Sequence, residues 1–418
     1  MTTSTVDRSK PPGPGTRAST WARRHLFRNW GDSALTVVFG GIGLYVAYRF
    51  FVFVFVNARW EIIETNLKLL MVGRWPVPHL PRIAVAVGVF ALWGGLIAGL
   101  IAARQMRRGA YLPATMTPLG RAGDLLRRFG LVIATGLLLL AMTDTSGPWL
   151  MAAGAVAGGT IGRFLGAWIG KRVLPRWVSR MGMLVLAIVP FVIYFYLVDA
   201  VPLAEWEGFF FNITSAAAGI ILCFPLGVLL ALGRRSQLPL LRTLSVGYIE
   251  FVRAAPLYVL LLLANVSLEF FVPPSIAPSK VTRAVVTFTL FTAAYLAEIV
   301  RGGLQSVPRG QEEAAKALGL SPTRQIGLII LPQALRNVIP AQIGQFISLF
   351  KDTTLAGLAL GILDMLSVAQ AITQQDAFRG QGLIIETLVF VGFMFWVGSF
   401  TMSRESQRLE RKLGVGNR

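Results

Sequence analysis

The chain has 418 residues, 54% of them hydrophobic and only 14% charged, with a mean hydropathy of +0.62. That balance excludes a soluble domain of this size and, beside its apolar segments, leaves no length for a large soluble catalytic domain. A formal charge of +20 would suggest nucleic acid in a soluble protein, but membrane proteins gather Lys and Arg on their cytoplasmic connections, so the distribution decides. The single cysteine, Cys223, excludes an internal disulfide, and the distant pair His25 and His79 cannot build a His/Cys metal cluster.

Residues 1–34 open with MTTSTVDRSKPPGPG and turn basic at Arg23, Arg24 and Arg28, which predicts a disordered basic tail and not a cleaved leader. Apolar segments then recur at 35–57, 82–103, 129–143, 150–170, 182–199, 208–232, 243–266, 284–303, 338–363 and 382–401. They predict an all-α polytopic membrane protein of about ten transmembrane helices. About five of these form an accessory N-terminal region over 35–207, the rest lie in 208–403, and 404–418 is a second basic tail.

With the N-terminus inside, the inner connections take Arg104, Arg107, Arg108, Arg121, Arg127, Arg128, Lys171, Arg172, Arg176 and Arg180, and further basic groups at 234–242, 301–336 and beyond 402. The outer ones hold only Arg59, Lys68, Arg74, Arg82, Lys280, Arg283 and Arg379. This asymmetry predicts a multi-pass protein with both termini in the cytoplasm.

In the fourth segment Gly154, Gly158, Gly162, Gly166 and Gly170 repeat every four residues, a strip of bare backbone that lets a neighbouring helix approach closely. Gly170, Lys171 and Arg172 do not make a phosphate loop, which needs Gly in place of Leu165 and Ser or Thr in place of Arg172. Any energy from ATP must therefore come through another chain.

Glu250 with Arg253, and Glu298 with Arg301, are spaced i, i+3, which puts each pair on one helix face and predicts two local structural ion pairs, with gating as the alternative role. Residues 301–340 then form the longest polar stretch of the second half. Gln311 to Leu318 is built of strong helix formers, Gly319 ends that helix, and Ser321 with Pro322 starts another whose apolar face is Ile326, Ile329 and Ile330. Two short helices around a Gly turn make a projecting knob suited to docking a cytoplasmic partner.

From Pro340 to Asp352 a helix rises about 18 Å, which would carry Lys351 and Asp352 past the middle of an apolar core roughly 30 Å thick. Gln345, Ser348 and Asp352 form one polar stripe that needs water or a ligand against it. An amino acid zwitterion offers an ammonium for Asp352 and a carboxylate for Lys351 or a helix terminus; a contact between Lys351 and Asp352 alone is the other reading.

Glu313, Ala314, Ala315, Gly319, Ile329, Leu331 and Pro332 fall at every fixed position of the EAA loop, and on these residues the chain resembles the binding-protein-dependent ABC importer permeases. YIEFVRAAPL at 248–257, AYLAEIVRGGLQSVPRG at 294–310 and KDTTLAGL at 351–358 resemble runs of the polar amino acid permease group, with Ala254 and Ala255 standing where that group has Gly-Thr. The resemblance covers 208–403, and NLKLLMVG at 66–73 with the extra helices looks like the long permeases of general L-amino acid systems.

The resemblance implies a type I permease core over 208–403 in a bacterial inner membrane, with 304–336 as the coupling loop. It implies Ala255, Pro256, Gln345, Ser348, Lys351 and Asp352 along a substrate pathway. Its implied partners are a cytoplasmic dimer of ATP-binding subunits that bind ATP and Mg²⁺, a second permease (heterodimer, or homodimer) and a periplasmic amino acid binding protein, in membrane lipid and without nucleic acid. This chain would hold no cofactor and would not itself be an enzyme. A neutral Gln345 argues against strict selection of Arg or Lys. An ion-coupled secondary transporter is the alternative, in which the loop has no function.

Overall fold

The structure, a computed structural model, describes residues 21–107, 118–143, 146–171, 176–273 and 275–414. Residues 1–20 of the expected disordered tail, Arg108 and Arg172 of the basic connections and residues 415–418 of the second tail lie outside them. Among the described residues every regular element is helical, and the only strand-like contact is an isolated bridge between Gly208 and Asp364.

The chain divides into two compact units, residues 1–60 and 61–418. In the first, α1 (Trp30–Val52) starts ahead of the expected residue 35, because the Asn29 side chain caps it by accepting from the Asp32 backbone N–H at 2.8 Å. It continues through a π turn at Phe53–Asn57 and buries none of its side chains, so Phe39, Leu44 and Phe55 face outward as a lipid-facing helix requires.

The second unit begins with α2 (Glu61–Val72), too short to cross a bilayer, whose Ile62, Ile63, Leu67 and Leu70 are buried. There follow α3 (Leu80–Arg107), α4 (Pro118–Ala141), α5 (Ser146–Lys171), α6 (Arg176–Ala200), α7 (Gly208–Arg234), α8 (Pro239–Ala254), α9 (Leu257–Val266) and α10 (Lys280–Ser306). Then come α11 (Arg309–Ala317), α12 (Pro322–Asn337), α13 (Ile339–Asp352), α14 (Leu355–Leu360), α15 (Met365–Ala371) and α16 (Ile384–Leu413).

Six described helices are long and apolar enough to cross a membrane, and up to eight if each of two bent pairs is one span. The segments expected at 129–143 and 182–199 lie in α4 and α6 as short apolar stretches, Phe129–Ala141 and Ile188–Ala200, so ten is an approximate count. The seventh segment is not one straight helix. It breaks at Ala255 and Pro256 and bends by 102°, because the proline ring holds the preceding residue extended (Ala255 φ −87°, ψ 137°). The ninth segment, expected to run to 363, ends as a helix at Asp352; Thr353 and Thr354 form a turn before α14, and Gly361 closes α14 at φ +66°.

The glycine strip does bring two backbones together. A Cβ at Gly158 would stand 2.6 Å from the Gly88 carbonyl oxygen, and Gly162 and Gly166 press on the carbonyls of Leu92 and Leu96 in α3. The first member, Gly154, has open space around it. The centre of the second half is α10, with Phe288, Ala293, Ala294, Leu296, Ala297 and Val300 fully buried. It lies against α7, where a Cβ at Gly227 would meet Leu296 Cβ at 2.8 Å.

Helix α2, sequence-distant from this core, is fastened to it. Arg74 donates from its backbone N–H and its guanidinium to Glu207, and Gln375 Nε2 donates to the buried Asn66 at 2.9 Å. The Arg74 guanidinium, beside that carboxylate, has its pKa raised further above an already high ordinary value.

Candidate functional site

The polar stretch after α10 folds as two short helices around a glycine turn. In α11, Lys316 pairs with Glu312 at 2.9 Å across one helical turn, which holds the Glu312 carboxyl below its usual range. The helix ends in a left-handed Gly319 at φ +71°, whose N–H bonds to the Lys316 carbonyl while the Leu320 N–H bonds to that of Ala315. This crossed pair satisfies the last carbonyls as a Schellman cap does, and it fixes the angle of exit.

Ser321 stands at the N-cap position of α12 with extended backbone, but its side chain accepts no capping bond; Pro322 takes the first helical position. The buried Gln325 instead braces the turn, donating to the Leu320 carbonyl at 2.5 Å. Gln333 donates to Gln311 at 3.2 Å, joining the two helices, and Asn337 donates to Ser306 at 3.0 Å, joining the pair to the end of α10. A Cβ at Gly303 would meet the Ala334 carbonyl oxygen at 2.6 Å, so α12 lies backbone to backbone on α10.

This one unit gathers Glu313, Ala314, Ala315, Gly319, Ile329, Leu331 and Pro332. Ala315 faces inward at 1% exposure, Ile329 and Leu331 are half-buried, and Glu313, Ala314, Gly319 and Pro332 are exposed. Leu318 and Leu328 are exposed at 77% and 69%. Sequence reasoning passed over both, although a large apolar residue beside a polar turn is a readable sign of a contact surface.

The two expected i, i+3 pairs are one interhelical cluster. Glu298 is bonded by Arg301 at 2.9 Å and by Arg234 of α7 at 2.6 Å, with Arg253 at 3.9 Å. Glu250 pairs not with Arg253 but with Arg234, at 3.0 Å. Arg253 lies over the Tyr295 ring, its guanidinium carbon 5.6 Å from the centroid. Of the two expected pairs Glu298 with Arg301 forms and Glu250 with Arg253 does not, because Arg234, at the end of α7, reaches both carboxylates at once, which i, i+3 spacing cannot reveal. The cluster ties α7, α8 and α10 together at one end.

On α13, Gln345, Ser348 and Asp352 are half-buried and Lys351 is exposed. Lys351 and Asp352 make no ion pair, with each other or with any described residue. Buried Leu349 and Phe350 hold the helix down, Phe350 with its ring 4.8 Å from that of Phe395. Ala255 and Pro256 lie at the α8–α9 break, and Leu257 just beyond them enters the same buried cluster as Leu349 and Ala356.

Where α13 ends, a buried polar knot went unread in the sequence. Asn212 of α7 donates to Thr353 at 3.0 Å and to Asp364 at 3.5 Å, and accepts from the Met365 N–H at 3.1 Å. Asp364 caps α15 through the N–H groups of Leu366 and Ser367 and accepts from the Ser367 hydroxyl at 2.6 Å. Asn212, Thr353 and Asp364 are all at 0% exposure. An Asn inside the apolar run FFFNITS was the available signal, since a buried amide requires partners.

Residues 223–415 match the family described as "Binding-protein-dependent transport system inner membrane component". The chain is 33% identical over 417 residues to the inner membrane amino-acid ABC transporter permease protein YhdY of Escherichia coli (strain K12), covering 98% of this chain and 97% of that protein. It is 44% identical over 222 residues to the glutamate/glutamine/aspartate/asparagine transport system permease protein BztC of Rhodobacter capsulatus, 51% of each chain. Among solved structures, a crystal structure of an amino acid ABC transporter with histidines is 28% identical, with a TM-score of 0.43 over 48% of this chain and 90% of that one.

Proposed function

The chain belongs to the inner membrane amino-acid ABC transporter permeases, and from that premise we propose that it is the membrane-spanning subunit of an importer for polar L-amino acids. The observation that carries this reading is the knob: two helices locked around Gly319, tied to the end of α10 by Asn337 and Ser306, with Leu318 and Leu328 presented outward. Being fastened to α10, it moves with that helix, so a partner closing on the knob displaces the membrane core.

In this reading ATP and Mg²⁺ are bound and hydrolysed by a partner dimer of ATP-binding subunits, and this chain hydrolyses nothing. The helix pair α11–α12 docks into that partner, a second permease completes the pathway, and a periplasmic binding protein delivers the substrate. Both termini lie in the cytoplasm, as the distribution of Lys and Arg supports. Alternating access then follows from two positions of the core biased by nucleotide on one side and by the loaded receptor on the other. The half-buried Asp352, in no ion pair among the described residues, offers its carboxylate to the substrate ammonium, and Lys351 offers a cation to the carboxylate. An ion-coupled carrier leaves the knob without a task.

Reconstitution of the purified chain with candidate ATPase and receptor subunits tests the reading. Receptor-stimulated ATP hydrolysis that moves a labelled amino acid supports it; amino acid uptake driven by a proton or Na⁺ gradient without ATP overturns it.

A further inference from the structure

Beside the Glu298 cluster lies a cavity of about 460 Å³. Arg234, Arg235, Arg242, Arg301, Val246 and Gln305 line it. Arg234 and Arg301 spend their charge on Glu298 and Glu250 at the inner wall. Arg235 and Arg242 are exposed and make no ion pair among the described residues; Arg235 feels the field of Glu312, which is itself paired with Lys316, so the cavity keeps a net positive charge. Guanidinium groups facing one space repel unless an anion occupies it, and their planar forks match a phosphate.

The surroundings indicate the anion's source. Arg242 sits in the first turn of α8, and beside it Leu238, Leu240, Leu241 and Leu244 are 61%, 70%, 48% and 61% exposed. A charged cavity bordered by open leucines at a helix boundary suits a molecule with an anionic head and an apolar tail. We propose that this cavity binds the phosphate of an anionic phospholipid whose acyl chain lies along the leucines of α8. The proposal rests on the reading of this end as the cytoplasmic membrane boundary, where basic pockets between helices meet anionic headgroups.

The test uses the full chain in mild detergent, monitored by native mass spectrometry during stepwise delipidation, with phosphatidylglycerol or phosphatidylcholine added back. Phosphatidylglycerol should be retained selectively. Arg235→Gln and Arg242→Gln should each weaken retention about fivefold, and Arg242→Lys should keep most of it. Equal retention of both lipids, or no loss in either Gln variant that remains folded by circular dichroism, overturns the proposal. Inorganic phosphate that displaces the lipid at equal concentration makes this a soluble-anion site and also overturns the lipid source. If Arg242→Gln instead weakens association with the ATPase and leaves lipid retention untouched, the occupant is an acidic protein segment and the proposal fails. The measurement needs neither transport nor membrane orientation, so its failure leaves the transport reading standing.

Discussion

Arg74 and Glu207, 133 residues apart in sequence, are joined by both the backbone N–H and the guanidinium of the arginine. The two partners are unequal: the Glu207 side chain is 5% exposed and that of Arg74 73%. The carboxylate is therefore the dependent group, since it lies in the interior and its satisfaction comes from α2's end. Gly73 and Gly208, both at φ +61°, let the two segments pass this closely, and a Cβ at Gly208 would stand 2.8 Å from the Leu70 carbonyl oxygen.

Glu207→Ala should loosen α2, at a cost of about 1.5 to 3 kcal/mol for lost bonds to a charged group. Thermal unfolding in detergent should begin lower than in the wild-type protein. An unchanged melting curve would show that apolar burial of Ile62, Ile63 and Leu70 alone holds the helix.

Gly319→Val places a branched side chain at φ +71° with open space around it, so the cost is conformational, about 1 kcal/mol or somewhat more. That is too little to unfold the protein but enough to swing α11 against α12. Membrane insertion should remain normal while receptor-stimulated ATP hydrolysis falls sharply. Normal stimulation would sink the docking role of the knob.

Asn212→Ala removes two donated bonds and the acceptor of the Met365 N–H from a fully buried site, leaving that N–H and Asp364 short of partners. The expected destabilisation is about 2 to 4 kcal/mol, the sum of one or two unsatisfied buried groups. Limited proteolysis between α13 and α15 should quicken; protection equal to wild type would mean the knot is incidental.

Asp352→Asn keeps the shape and removes the charge. A charge-assisted bond to an ammonium of about 1.5 to 3 kcal/mol becomes a neutral one of about 0.5 to 1.5, so transport should drop about tenfold. Because Asp352 is in no ion pair among the described residues, stability should change little. The double variant Lys351→Met with Asp352→Asn should transport no better than the single one. Its recovery of transport would remove Asp352 from the substrate pathway.

Gly162→Leu should separate α3 from α5, since that position already presses on the Leu92 carbonyl. Gly154→Leu, in open space, should be tolerated. Equal expression and melting of the two variants would contradict a packing role for the strip.

The helices and the knob were legible because their signals are local: apolar runs, helix formers up to Leu318, a Gly at 319, a Pro at 322. Helix α2 escaped because twelve residues at its hydropathy resemble a connection, and its burial depends on α7 and α16, which no local pattern names. The cluster around Glu298 was half legible. Arg301 is its neighbour on the same helix, whereas Arg234 arrives from α7, and only the tertiary arrangement shows one arginine serving two carboxylates. The break at Pro256 was readable in principle, since a proline restrains the residue before it, but the apolar residues on both sides of it masked it. The fate of Asp352 depended on where α13 ends, and Thr353, just beyond it, is held by Asn212 of α7, a contact between residues 141 apart that no local pattern shows.

The bond from Gln375 to Asn66 spans 309 residues, and this has a consequence for the order in which the protein is made. At roughly 5 to 20 residues per second, synthesis delivers Glu207 to α2 within about 7 to 27 s and Gln375 only after about 15 to 62 s. Throughout that interval Ile62, Ile63 and Leu70 have been synthesised but only the α7 part of their native covering has. The nascent α2 must wait at the membrane surface, held by lipid or by the insertion machinery. A ribosome paused before α15 would thus leave only partly covered the very helix that the finished protein buries first in sequence.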